Sequence, residues 1–551
     1  MQWHQIYAPV ADNIILSAFV AALPIFFLLW ALAVKRMKGY LAGIGTLSVA
    51  FVIAILVYRM PFSAAVSATL LGVANGLFPI GYIILTSVFL YNLIVRSGQF
   101  EIIKGSIAYL SGDQRIQALL IAFSFSAFLE GAAGQGAPVA IAAAILIGMG
   151  FPPLMAAVVC LVANVPPVPF GPVGVPTITM ARVTGIDVMV LTNAVAMNCA
   201  VVAVIIAFAT IWVMVGWKKT VDILPGILVA GVVYGVVSYA IARALGPELP
   251  SVITPLVSLG ALALFLKFWQ PKEIWSFAGG ASSGVASAPH GSRYSIGEIF
   301  RAWSPFLLVT VMMTIWGQPA FKTWLAGTGW FFNVPSWPGL DGVVYNTTPI
   351  VAAPAKYAAS FKWDVVGYAG TAMLLAIFIS LFILRINFKT AGEVFTATLK
   401  QLGYSLITVA SFIGLAFLAN YSGISYTLGL AFAKTGALFP VFSPILGWLG
   451  VFLTGSVTSS CALFGKLQQV TAGQLGLNPI LTIAANEVGG IMGKLISPQS
   501  IAIACAATGL VGRETDIFRA VLKYSVILLG IVILMILAQA YLAPGIVPVL
   551  P

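Results

Sequence analysis

The stretch FLEGAAGQGAP, residues 128–138, decides how the rest of the chain is read. It interrupts a hydrophobic run with a carboxylate, Glu130, and then with Gly131, Gly134 and Gly136, residues that loosen a helix and let a solute approach the backbone. Gln135 adds a side-chain amide among them. Backbone groups freed at membrane depth must be met by protein, water or a bound solute, so such a segment lines a cavity. A second break, NVPPVPFGPVGVP at 164–176, follows at once.

The pair recurs late in the chain. FLTGSVTSSCALFG at 452–465 copies the first break, and ANEVGGIMGKLISP at 485–498 copies the second. Matching positions keep a nearly constant separation: Ser97-Gly98 with Ser422-Gly423, Gly112 with Gly436, Phe128-Leu129 with Phe452-Leu453, Ala163-Asn164 with Ala485-Asn486, and Pro176 with Pro498. Five matches in order point to an internal duplication, which in a membrane protein indicates a transporter built from two repeats around a central site.

Composition supports the same class. Of 551 residues 60% are hydrophobic and only 8% charged, whereas a soluble globule carries about a quarter charged residues. The formal net charge of +12 comes from basic residues in short loops between apolar runs, where they orient the chain rather than bind nucleic acid. Cys160, Cys199, Cys461 and Cys505 fall in apolar stretches without metal-type spacing and read as small core residues, with no disulfide and no metal site expected. With two histidines and no GxxxxGK[ST] loop, neither a membrane enzyme nor a nucleotide-driven pump is indicated, and no cofactor is expected.

Basic loops set the topology. Residues 14–34 cross inward to Lys35, Arg36 and Lys38, which places the N-terminus outside. Residues 1–63 hold the N-terminal helices, 64–185 the first repeat, 186–395 connecting and scaffold helices, 396–510 the second repeat, and 511–551 a C-terminal helix. A cytoplasmic loop is expected at 270–298 and an outer loop at 318–364. In the first repeat, SGDQR at 111–115 starts a helix of about fifteen residues that Glu130 breaks; with residues 139–148 it makes a re-entrant hairpin, followed by a helix broken at 164–176. The second repeat starts near Leu402 and runs the other way, with a hairpin at 441–475 tipped at 454–460 and a broken helix at 479–508. The fold class is therefore an all-α polytopic membrane protein: about twelve transmembrane helices plus two re-entrant hairpins, in two inverted repeats with discontinuous helices.

The chemistry lies in the four breaks. Half-helix N-termini suit a carboxylate, and the hydroxyls of Thr454, Ser456, Thr458, Ser459 and Ser460 bind one without a formal counter-charge. Gly131, Gly134, Gln135, Gly136, Asn164 and Asn486 complete the expected substrate-binding set. For each single residue, close packing of small side chains between helices is the plain alternative. Glu130 and Glu487 are intramembrane carboxylates, which are functional candidates by default, because burial favours the protonated form and lets such a group carry a proton. Lys466 and Lys494 are candidate charge partners or substrate anchors; for Lys494, ending a helix or snorkelling is an equal reading. Arg182 and Asp187 fall near the outer end of the first broken helix and suit an interfacial role.

EGAAGQGAPVA, FLTGSVTSSCALFG and above all KLISPQSIAIACAATGLVG at 494–512, together with chain length, resemble the L-lactate permease family of bacterial inner-membrane proteins over essentially the whole chain. The resemblance implies secondary, proton-coupled uptake of small 2-hydroxymonocarboxylates such as L-lactate, with D-lactate and glycolate as further candidates. It also implies kinship with transporters that move by an elevator motion. The family's pattern has an aromatic at Gln135, an acid at Val457, an amide at Cys461 and an uncharged residue at Glu487, and Lys466 also departs from it. Glu487 is accordingly expected to take over a coupling or charge-balancing role, against Lys466. The implied partners are a small organic anion, a proton and membrane lipid, with no nucleic acid; monomer and homodimer both fit. Other readings are a transporter for a different organic anion, sodium-coupled or exchanging, and an anion channel, which would use a duplicated polar pore but has no need of breaks that close from either side.

Overall fold

A computed structural model of the chain describes residues 2–35, 37–108, 110–132, 137–277, 294–329, 332–511 and 513–549. Helix ends follow short-range chemistry. Asn13, Asp113, Asp187, Asn387 and Asn478 each accept backbone N–H bonds at a helix start, groups that a helix start leaves unpaired. Ser295 and Glu298 form a reciprocal capping box.

The N-terminal helices are α1, Ile14–Leu32, and α2, Gly39–Leu56. Next comes α3, Phe62–Arg96, a 35-residue helix that leaves helical geometry at Phe78 beside Pro79, the kink its excess length demands. A short α4, Gln99–Ala108, leads to the first hairpin, α5 (Gln114–Ala132) and α6 (Ala137–Gly148). The first broken helix is α7, Pro153–Ala163, a one-turn 3₁₀ segment at Val168–Phe170, and α8, Val175–Thr184. Three plain helices follow: α9, Val188–Val221, α10, Leu224–Leu245, and α11, Pro250–Phe265. α12, Ile296–Gly317, leads to the loop expected outside, here called the outer loop, with a surface helix α13, Pro319–Gly327. α14, Ala369–Ile383, returns, and α15, Phe388–Ser422, opens the second repeat. After α16, Ile424–Phe432, come the second hairpin, α17 (Phe439–Thr454) and α18 (Val457–Leu475), and the second broken helix, α19 (Pro479–Lys494) and α20 (Pro498–Thr508). α21, Glu514–Leu537, closes the bundle.

Among the described residues, eleven helical stretches are long and apolar enough to cross a membrane. Two of them, Gln114–Ala132 and Ile424–Thr454, contain hairpin arms, while α11 and α14 are shorter helices of 16 and 15 residues at expected crossings. Outward-facing apolar side chains such as Phe19, Leu56, Val236, Leu264 and Leu534 stand exposed around the bundle, a surface that only lipid satisfies. The protein is a multi-pass integral membrane protein.

At one end the first residues join the outer loop. β1 (Trp3–His4) pairs parallel with β3 (Val344–Asn346), which pairs antiparallel with β4 (Ala355–Lys356), and β2 (Phe332–Val334) pairs antiparallel with β5 (Phe361–Trp363). These strands of two or three residues are the exception to an otherwise helical chain. At the opposite end Arg115, almost wholly buried, bonds Asp113 at 2.7 Å and the carbonyls of Lys219 and Glu273, fastening the open end of the first hairpin to α9 and to the segment after α11.

The helices sort into two groups. α2, α3, α14 and α15 pack together on one side, and the hairpins, broken helices and α9–α11 on the other. Within the second group, α17 lies along α19 at backbone contact. A Cβ on Gly489 would come within 2.6 Å of Pro444 Cα, and one on Gly447 would overlap the Asn486 carbonyl.

Three expectations are corrected. Glu130 lies inside its helix rather than breaking it: α5 runs on to Ala132 and is 19 residues long, and the carboxylate is met in place by Asn164 and Lys494. The second break, expected across 485–498, is narrower than that, and residues 486–490 are not part of it. They lie inside the continuous α19, whose glycines serve close packing, and the interruption is at 495–497. Finally α15 begins at Phe388, capped by Asn387, so the expected boundary at 395/396 falls within a helix.

Candidate functional site

A cavity of about 1030 Å³ lies between the two helix groups. Its inner wall is built by Glu130 at the end of α5, by Gly171, Pro172, Val175 and Pro176 of the first break, by the hairpin tip at Thr454–Ser459, and by Lys494 and Pro498–Ser500 of the second break. The facing wall comes from α3 and α15, with Ile84, Tyr404 and Thr408. Its mouth reaches Lys38, Gly39 and Tyr40, on the side that the basic loops assign to the cytoplasm.

Three half-helices begin in this cavity, α8 at Val175, α18 at Val457 and α20 at Pro498. Their starts present unpaired N–H groups and the positive end of a helix dipole, a setting for an anion. Two of the starts are organised by serine caps, Ser456 accepting from Ser459 N and Ser497 from Ser500 N. The hairpin turns at Gly455, whose φ of +69 suits glycine, and a Cβ there would come within 3.0 Å of Gln499 Cβ. The tip and the second break therefore touch.

Opposite these helix starts lies an ion pair between the repeats. Lys494 Nζ donates to Glu130 Oε1 at 2.7 Å, the carboxylate 4% and the lysine 14% exposed. Asn164 Nδ2 donates to Glu130 Oε2 at 2.9 Å, and Asn164 Oδ1 accepts from Ser126 Oγ at 3.0 Å, so both carboxylate oxygens are engaged. Gly171 makes this possible: a Cβ there would stand 3.0 Å from Glu130 Cγ.

The other candidates divide. Thr454, Ser456, Thr458 and Ser459 line the cavity. Thr454 Oγ1 is occupied by the Gly450 and Ser456 carbonyls, while among the described residues the hydroxyls of Thr458 and Ser459 have no internal partner. Ser460 turns away and donates to Gly447 O. Gly131 packs against Ser251 on α11. Asn164 stands behind Glu130 rather than in the open space. Asn486 faces Gln468 within the packed hairpin, so it does not line the cavity. Gly134, Gln135 and Gly136 lie outside the described residues.

Glu487 is fully buried, with Oε1 accepting from Thr177 Oγ1 at 2.7 Å; the same hydroxyl bonds Pro169 O, so Glu487 clasps the second broken helix to the first. Its Oε2 has no partner among the described residues. The expected Glu487–Lys466 pair does not form. Lys466 Nζ donates to Gln469 Oε1 at 2.8 Å and lies on an outer cavity, because Gln468, two positions on, is the residue of α18 that faces α19, and two residues turn the helix to its other side. Gln499 was missed as a lining residue although Ser497-Pro498 announces a capped helix start.

The family model described as L-lactate permease matches residues 17–543. The chain belongs to the L-lactate permease family. Within it, the L-lactate permease of Bacillus subtilis (strain 168) is 48% identical, with 100% of both chains covered. The glycolate permease GlcA of Escherichia coli (strain K12) is 46% identical over 98% of this chain and 99% of its own, and the L-lactate permease of the same strain is 44% identical over 99% and 100%. Among solved structures, Neisseria gonorrhoeae MtrF aligns at TM-score 0.46 with 12% identity, covering 86% of this chain and 84% of its own. Membership of a lactate permease family makes this a transport protein, as fits the bacterial inner membrane.

Proposed function

We propose that the protein imports small 2-hydroxymonocarboxylates, L-lactate foremost and D-lactate and glycolate with it, by symport with protons. The observation that carries this reading is the Glu130–Lys494 pair facing three helix N-termini in one cavity. Relatives named for lactate and glycolate supply the substrate class.

Coupling follows from charge bookkeeping. In the empty site Glu130 and Lys494 neutralise each other. A proton on Glu130 frees Lys494, and the substrate carboxylate takes its place there, so the loaded site is again neutral. A site with only the proton or only the anion carries a net charge, and moving a charge through the bilayer centre costs about 3 kcal/mol or more. Empty and fully loaded forms cross; half-loaded forms do not. The helix starts of α18 and α20 share the carboxylate, and Thr458, Ser459 and Gln499 are the groups for the 2-hydroxyl. Glu487, bonded to Thr177 and fully buried, keeps its proton in both crossing forms and adds no charge to either. Alternating access is an elevator motion in which the hairpins and broken helices slide as one body along α3 and α15.

The test is uptake of labelled L-lactate into proteoliposomes under an imposed proton gradient, then under a sodium gradient, with excess glycolate, pyruvate and a dicarboxylate as competitors. Concentrative uptake driven by protons alone, blocked by glycolate, is expected. Uptake that needs sodium would replace protons as the coupling ion, and no lactate uptake under either gradient would transfer the site to another anion.

A further inference from the structure

A second cavity, of about 850 Å³, opens on the outer side and shares no lining residue with the first. α8 and α18 connect them: both begin in the inner cavity, and both present a cation to the outer one, Arg182 and Lys466. The two helices are in close contact, since a Cβ on Gly465 would stand 3.4 Å from Thr184 Cγ2. Across the vestibule stand Tyr357, Tyr368 and Tyr421, from the outer loop and the end of α15.

Two other buried cations among the described residues are matched by acids, Lys494 by Glu130 and Arg115 by Asp113. Among the described residues, neither Arg182 nor Lys466 has a carboxylate within ion-pair distance. Arg182 donates to Tyr368 OH and lies 5.8 Å over that ring; Lys466 donates to Gln469 and lies 5.4 Å over the Tyr426 ring. An aromatic face steadies a cation without neutralising it. A guanidinium carries five donors and an ammonium three, so most of this capacity is open to an anion. Of the acids in the vestibule, Asp364 is paired with Lys362 at 3.0 Å, Asp187 caps α9 through Met189 N and Val190 N, and Glu248 lies beside Gly246.

We infer that Arg182 and Lys466 form an outer docking site for the substrate carboxylate, separate from Lys494 and occupied before the inner cavity is reached from outside. This rests on the reading of the substrate as a small monocarboxylate. The lining's three cations and three acids sum to zero, so the pull on an anion is local to Arg182 and Lys466, whose donors hold it in place at the mouth. The tyrosine rings supply apolar faces suited to a short hydroxy acid, the hydroxyls of Tyr368 and Tyr421 being already bonded to Arg182 and to the Lys362 and Ala358 carbonyls.

The experiment compares right-side-out with inside-out membrane vesicles, so that KM for L-lactate is read from each face. In the double variant Arg182→Gln with Lys466→Met, KM from the outer face rises about tenfold, the maximal rate changes by no more than about twofold, and KM from the cytoplasmic face is unchanged. Arg182→Lys and Lys466→Arg stay near the parent protein. A single-cysteine readout separates charge from folding: Lys466→Cys regains the low outer KM when a cationic thiosulfonate is attached and not when an anionic one is, the four native cysteines being buried. An unchanged outer KM in the double variant, an equal shift at both faces, or equal response to the two reagents overturns the docking site. Parent protein that moves no lactate in either orientation overturns the transport reading instead.

Discussion

Glu130 and Lys494 are 364 residues apart in sequence and 2.7 Å apart in space, and the coupling scheme makes their replacements behave differently. Glu130→Gln is permanently neutral. The loaded carrier still crosses, but the empty one now carries the lysine charge, so lactate counterflow between preloaded liposomes and medium is retained while proton-driven accumulation is lost. Lys494→Met removes the anchor, and both modes fall by about thirtyfold or more, the loss typical of a buried charged hydrogen bond. Accumulation by Glu130→Gln under a proton gradient would remove that residue from the coupling step. The sequence carried both residues as candidates but not their pairing, which only the approach of the two repeats creates. It also offered Lys466 to Glu487, and the helical angle between Lys466 and Gln468 decides against it.

At the level of elements, what was legible was whatever disrupts a helix in lipid: the proline and glycine of 164–176, the tip at Gly455, and Ser497-Pro498. What was not legible was the difference between a glycine that opens a helix and one that lets two helices touch. Gly489 and Gly490 belong to the second kind, as does Gly447 on the partner helix. Gly447→Val forces α17 off the Asn486 carbonyl and costs about 3 kcal/mol, read as a lower melting temperature of the detergent-solubilised protein, whereas Ala at the solvent-open Gly473 has no such effect. The outer strands have their own determinant. Asp341 accepts from Lys356 Nζ at 2.7 Å, and also from Ala359 N at 3.0 Å and Ser336 Oγ at 2.7 Å; these donors, Lys356 foremost, hold its carboxyl down at about 2. A depressed folded value means that the stabilisation is complete above the unfolded value near 4 and is lost as pH falls towards 2. Protection of β3 and β4 amides, taken relative to the intrinsic exchange rate at each pH, should therefore fall over that window, and Asp341→Asn should show low protection at neutral pH and lose the acid dependence.

For the molecule as a whole, duplication was legible because each repeat must carry its own breaks, while the face on which the cavity opens was not, since one sequence encodes every state of the cycle. Among the contacts that join the repeats, and with them the body proposed to slide, are Glu130 with Lys494, Thr177 with Glu487, and Gly465 beside Thr184. Asn420 Nδ2 to Val183 O, at 3.0 Å, instead joins that body to α15. If the body slides as a unit, a cross-link between Thr184→Cys and Gly465→Cys leaves lactate transport intact, and one between Val183→Cys and Asn420→Cys stops it until reduced. Transport stopped by the first pair would show that the repeats move against each other. The same ion pair also dictates an order of birth. The ribosome makes Glu130 long before Lys494, so the nascent protein holds an acid without its counter-charge until its last tenth is synthesised. A chain truncated before 494 keeps a buried carboxylate without its lysine for good.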